Sequence, residues 1–229
     1  MDALLKWISR LDFSVLIELA ISLGSSILCI TVHEVSHGLA AHWLGDDTAK
    51  RAGRLSFNPL KHMDIIGLAL MALVRFGWAK PVPVNPQKMK HPKLGMVLTA
   101  IAGPLSNVLL ALFALIVDVG LWALYVRSGH KAVFFCMNFM EYIAVLSSGL
   151  ASFNLFPIPP LDGSKILYLI LPQRAYRFLL RYERYGMILL ILLLLLNVLD
   201  VPLLFLRDGL LEVLQSAVNP LYDYVFRLG

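Results

Sequence analysis

Two histidines and a glutamate stand at the end of an apolar run long enough to cross a bilayer, and few folds accommodate that combination. Residues 13–32 read FSVLIELAISLGSSILCITV and lead directly into His33-Glu34-Val35-Ser36-His37. Hydrocarbon offers the backbone no hydrogen-bond partners, so such a run has to be helical, and ionisable side chains within it are costly unless they serve a purpose. Residues four apart share a helix face, so both imidazoles can grip one metal ion while Glu34 reaches toward a water activated there. Glu18, Ser22, Ser26, Cys29, His33 and His37 fall within roughly 100° of arc at 3.6 residues per turn. That small and polar stripe is expected to face the inside of a helix bundle, with lipid on the other side.

The rest of the chain has the composition of several such helices. Hydrophobic residues make up 59% of it, charged residues 15%, and the mean hydropathy is +0.74. A soluble domain carries about 25% charge, so the expected class is an all-α polytopic membrane protein, with 1–229 forming one domain. Four spans are expected at about 13–44, 94–125, 132–156 and 186–206. The apolar stretch 65–76 is too short to cross and reads as re-entrant or interfacial. Between 45 and 94, Gly53, Asn58-Pro59 and the PVPVNP run at 81–86 argue for short strands and loops. The PIPP run at 157–160 halts the third span, and a short helix is expected from about Asp162 to Leu171. Residues 172–185 form a basic amphipathic stretch suited to a membrane surface. The start MDALLKWISRLD lacks a small-residue cleavage site and is not expected to act as a signal peptide. Cys29 and Cys136 lie in apolar segments and are expected to be small buried hydrophobes rather than a disulfide.

Charge placement tests this topology. If the first helix delivers His33 and His37 to the cytoplasmic side, segments 45–93 and 163–185 are cytoplasmic and carry 14 of the 20 Lys and Arg residues. That bias obeys the positive-inside rule. It accounts for the net charge of +5 without nucleic-acid binding, and it puts Asp162 on the same side as the two histidines.

Catalytic zinc commonly takes three protein ligands and leaves one position open. Asp162, closing FNLFPIPPLDG at 153–163, has the right chemistry and depth to be the third. Its other reading is an N-cap for the short helix that follows. Asn154 can donate a hydrogen bond to a substrate backbone or an oxyanion, or bridge two helices. Asn107 sits beside the small residues Gly103 and Ser106; helix packing is its first reading and substrate contact its second. His42, His62 and His91 read as interfacial or loop residues, and Glu18, Asp118, Glu141 and Asp200 as outer-end groups.

Three separated stretches, HEVSHGLAAHWLGD at 33–46, AGPLSN at 102–107 and FNLFPIPPLDG at 153–163, together resemble the site-2 proteases, intramembrane zinc metalloproteases of peptidase family M50. The resemblance spans roughly residues 15–170. It implies zinc held by His33, His37 and Asp162, Glu34 as catalytic base, and a three-helix core with the metal near the cytoplasmic face. It also implies a membrane-associated β-hairpin that helps hold substrate, for which 53–84 is the candidate. The chain looks like a minimal member: the interval from HEVSH to LDG is too small for a PDZ insertion, and the tail too short for a pair of CBS domains.

The expected activity is therefore hydrolysis of peptide bonds in or near transmembrane segments of membrane proteins, in contact with lipid, at the cytoplasmic face of a bacterial cytoplasmic membrane. A metal transporter would spread ionisable groups over several depths, whereas here they gather at one. A non-catalytic helix-binding scaffold would have no use for Glu34. Apolar faces can pack within one chain or between chains, so the sequence sets no oligomeric state.

Overall fold

The computed structural model describes residues 13–64 and 80–228. Over these the chain forms seven α-helices: α1 (Phe13–Trp43), α2 (Thr48–Arg51), α3 (Pro92–Ser128), α4 (Lys131–Asn154), α5 (Asp162–Ile170), α6 (Gln173–Leu195) and α7 (Asp200–Leu228). Single 3₁₀ turns lie at Pro59–Lys61 and Pro86–Lys88. Val15–Trp43 of α1, Pro92–Ser128 and Lys131–Asn154 are each long and apolar enough to cross a membrane. This is an all-α polytopic membrane protein.

Local chemistry sets the helix ends that matter for the site. α1 ends at Trp43, nearly two turns after His37, because Gly45 takes a φ of 104°, a left-handed conformation that glycine adopts without a Cβ clash. The Gly45 N–H then reaches His42 O at 3.1 Å and the Asp46 N–H reaches Ala41 O at 2.9 Å, satisfying carbonyls that the helix leaves over. Pro92 opens α3 at a position where a missing N–H costs nothing. α4 stops at Asn154, just before the prolines at 157, 159 and 160.

α3 packs against α1, α4 and α7, and α1 against α4. The shared core holds Cys29, Ala111, Ala114, Leu115, Val119, Ile143, Ala144, Leu214 and Val218. Its small members matter, because apolar helices in lipid gain most from close backbone approach. The polar stripe of α1 follows the same logic: Cys29, His33 and His37 are buried, Ser22 and Ser26 half-buried, and only Glu18, nearest the far end, is exposed. The Ser147 hydroxyl on α4 donates to Cys29 Sγ at 3.1 Å. Cys136 departs from expectation, lying exposed on the outward side of α4.

Two further expectations meet a different structure. The segment 186–206 does not run straight: Tyr185–Leu195 and Asp200–Arg227 are bent by 87°, around Asn197 with a φ of 55°. Asparagine is among the few residues that tolerate this left-handed conformation, and an apolar count does not register it. α6 instead joins the proline turn, through a cluster of Leu161, Leu190 and Leu199, and α7 returns along α3 and α4.

The strands anticipated between 45 and 94 do not form among the described residues; Met63 makes an isolated bridge, and the Lys80 N–H donates to His62 O at 2.9 Å. Pro81, Pro83 and Pro86 have no N–H to give a ladder. The carbonyls of Lys80 and Pro81 accept instead from the Arg54 guanidinium, at 2.5 and 3.1 Å. The 65–76 stretch lies outside the described residues.

Candidate metal centre

The last turns of α1, the first half of α3 and the start of α5 meet at one buried point. From α1 come His33 and His37, 5% and 9% exposed, and from α5 comes Asp162, 5% exposed. Asp162 Oδ2 lies 3.2 Å from His33 Nε2 and 3.0 Å from His37 Nε2, and the two Nε2 atoms are 3.0 Å apart. The donor atoms that the four-residue spacing placed on one face of α1 are thus joined by a carboxylate 125 residues further along the chain from His37.

What the other ring nitrogens do decides the character of this point. His37 Nδ1 donates to the carbonyl of Thr99 on α3 at 2.7 Å. His33 Nδ1 faces the side-chain amide of Asn107, whose Nδ2 lies 3.2 Å away while its Oδ1 is buried without a described partner. Turned over, that amide accepts the Nδ1–H of His33 through Oδ1. Both imidazoles then carry their proton on Nδ1 and aim a lone pair from Nε2 at the same spot as the Asp162 oxygen. Two lone pairs and a carboxylate oxygen at this separation repel one another unless a cation lies among them. Tetrahedral zinc, with bonds of about 2.0–2.1 Å, sets its ligand atoms about 3.3 Å apart, close to the spacings seen here. His33, His37 and Asp162 are the one group of metal-competent side chains that converge in this way among the described residues.

α3 is held against the pair by the absence of a side chain. A Cβ on Gly103 would lie 2.4 Å from both Cε1 and Nε2 of His37 and 2.7 Å from Cε1 of His33. The small residue read from the sequence as a helix-packing device therefore packs on the imidazoles themselves. On the far side, Lys165 Nζ donates to Asp162 Oδ1 at 3.2 Å. This leaves Oδ2 as the oxygen facing the histidines.

Glu34 is half-buried beside the pair. Its Oε2 accepts the backbone N–H of Val82 at 2.9 Å. Asn107 is brought into the site as a partner of His33. Asn154 is not: its amide nitrogen donates back to Leu150 O within α4 at 3.0 Å. Among the remaining histidines, His42 pairs with Asp47 at 2.6 Å. His62, expected in a loop or at the interface, is fully buried with Nε2 donating to Ser56 O at 2.7 Å.

Sequence reasoning missed the Thr99 carbonyl, the Val82 N–H and Lys165. The one readable signal among them was the three-residue step from Asp162 to Lys165, which lets the two meet on a helix. It also missed Asp46, fully buried at the foot of α1 and accepting from the Thr48 hydroxyl, from Thr48 N–H at 2.9 Å and from Asn85 N–H at 2.5 Å. Burial opposes the charge of that carboxylate, but these hydrogen bonds and the nearby Lys88 hold its pKa below the usual carboxylate range.

Comparison with known proteins places the chain in a family. A model described as "Peptidase family M50" matches residues 123–197, which include Asp162. The chain is 37% identical over 181 residues to "Putative zinc metalloprotease YwhC" of Bacillus subtilis, covering 73% of this chain and 76% of the relative. The chain belongs to peptidase family M50. It is also 28% identical over 174 residues to "Putative zinc metalloprotease Rip2" of Mycolicibacterium smegmatis, covering 73% of this chain and 64% of that protein. No solved structure matches it significantly. Membership bears out the resemblance to the site-2 proteases and makes the protein a zinc-dependent metalloendopeptidase of the membrane. The donor set fits that metal: two imidazoles and one carboxylate are a common set of protein ligands for catalytic zinc.

Proposed function

We propose that the protein hydrolyses peptide bonds in or near transmembrane segments of membrane proteins, with His33, His37 and Asp162 holding the zinc and Glu34 acting as general base. The observation that carries this reading is the convergence of His33 Nε2, His37 Nε2 and Asp162 Oδ2 within 3.0–3.2 Å, buried between helices apolar enough to cross a membrane. Zinc at such a point lowers the pKa of water to about 7 and polarises a carbonyl. Glu34 removes a proton from the attacking water and passes it to the leaving amine nitrogen. Val82 holds one carboxylate oxygen of Glu34 and leaves the other for that proton. Thr99 and Asn107 fix the imidazole tautomers, and Lys165 orients Asp162. A substrate helix has its carbonyls satisfied internally, so the segment cut must first unwind.

The centre lies toward the C-terminal ends of α1 and α4 and the N-terminal end of α3, where the basic residues of 45–64 and 80–93 lie between α1 and α3 in the chain. The positive-inside rule makes this side cytoplasmic. The relatives named above are bacterial, which favours the bacterial cytoplasmic membrane.

Zinc content of the detergent-purified protein tests the ligand set. Wild type should carry about one zinc per chain, and His33→Ala, His37→Ala and Asp162→Ala should lose most of it. Full occupancy in Asp162→Ala would remove α5 from the centre and end this reading. Asn107→Ala should retain the fold and weaken zinc about 10- to 100-fold, as loss of a histidine-orienting partner does elsewhere. Competition with a chelator measures it, and wild-type affinity would mean that His33 needs no partner at Nδ1.

A further inference from the structure

The stretch 80–86 passes directly over Glu34, yet it has few means of holding itself in place. Its prolines at 81, 83 and 86 donate nothing. Three of its four N–H groups go elsewhere: Lys80 to the His62 carbonyl, Val82 to Glu34, and Asn85 to Asp46. Its carbonyls at Lys80 and Pro81 are gripped by Arg54, which is only 8% exposed and also donates to the Lys61 carbonyl. Every described hydrogen bond of that guanidinium goes to a backbone oxygen. The Val82 side chain, itself 8% exposed, seats over Gly38, one turn past Glu34, where a Cβ would stand 3.2 Å from Val82 Cγ1.

Among the described residues Arg54 has no carboxylate partner; its two terminal nitrogens are matched by carbonyls, while its Nε is buried without a described acceptor, and burying a cation is costly unless such donors are met. Arginine is suited to this position because its planar fork reaches several acceptors in fixed directions, which a lysine ammonium does not. From these contacts we infer that Arg54 is a positioning residue for Glu34: by clamping the carbonyls of Lys80 and Pro81 it fixes the Val82 N–H, and that N–H holds the Glu34 carboxylate in a single orientation. Asp46 secures the other end of the stretch through Asn85. The inference rests on the reading of Glu34 as general base.

Val82→Pro removes that single N–H, and Pro83 already biases position 82 toward the extended conformations that proline adopts. Arg54→Gln removes the clamp, and Arg54→Lys restores charge without the fork. The measurement is cleavage of a transmembrane-segment substrate by the full-length protein in detergent micelles, with kcat and KM resolved and zinc content recorded. Val82→Pro and Arg54→Gln should each lower kcat about 100-fold, the scale of a misplaced catalytic group, at unchanged KM and zinc content. Arg54→Lys should recover part of that loss. A rise in KM at constant kcat would make the stretch a substrate contact instead and overturn the inference, as would wild-type kcat in Arg54→Gln. Should either variant fold poorly, the double variants decide: in a Glu34→Gln background, a residue acting through Glu34 lowers the residual rate no further, whereas a general structural role lowers it again. Full activity in Glu34→Gln alone would sink the base assignment; an inactive Glu34→Gln beside a fully active Arg54→Gln would sink only the positioning role.

Discussion

Replacing Glu34 with Gln should abolish cleavage while leaving zinc in place. Glutamine keeps the size of the side chain and retains an oxygen able to accept the Val82 N–H, the contact seen at 2.9 Å. It has no carboxylate to take a proton from water, and removing a positioned general base typically costs 10²–10⁴-fold in rate. The His33, His37 and Asp162 donors belong to other residues, so the metal count should stay at about one per chain. Activity and zinc content measured on the same preparation give the answer. Cleavage at wild-type rate would exclude Glu34 as the base; loss of zinc together with activity would give it a structural role instead.

Gly103→Ala is expected to have the second largest effect, from a single methyl group. The added carbon would stand 2.4 Å from His37 Nε2 and 2.7 Å from His33 Cε1, well inside van der Waals contact. Either the imidazoles rotate away from Asp162, or α3 withdraws and takes with it the Thr99 carbonyl and the Asn107 amide that fix both rings. Overpacking of this kind costs about 1–3 kcal/mol. Expressed against the metal-bound state, this is roughly a 5- to 150-fold loss of zinc affinity. Chelator competition measures the loss, and circular dichroism should report an unchanged helix content. Wild-type affinity in Gly103→Ala would mean that α3 can yield without disturbing the rings, and that the close approach is incidental.

The parts of this protein that could be read from sequence are those governed by a period or by a breaker. The four-residue step from His33 to His37 fixes a shared face whatever surrounds it, and the apolar runs of α1, α3 and α4 have few alternatives to helix in a membrane. The prolines at 157, 159 and 160 mark the end of α4 and so the depth of Asp162. Asn107 was readable only as an amide among small residues, because nothing in the sequence says which ring nitrogen it meets. The loop between α1 and α3 was opaque for a different reason. Arg54 meets Lys80 and Pro81, and Asp46 meets Asn85, through single polar contacts over dozens of residues, and no repeat announces them. In the sequence Arg54 is one more cytoplasmic charge among 14. The bend at Asn197 was hidden by leucines on both sides, which keep the hydropathy high through a turn that a backbone dihedral makes.

A centre whose donors come from α1 and α5 also has a history within each molecule. His33 and His37 enter the membrane early in synthesis, but the carboxylate that would complete their set is residue 162 of 229. On the proposed ligand set, a growing chain carries its histidine pair through two further long helices, α3 and α4, before the third donor is made. The order of the elements would then set synthesis of the histidine pair well ahead of activation, leaving the growing protease without an assembled blade until Asp162 is in place.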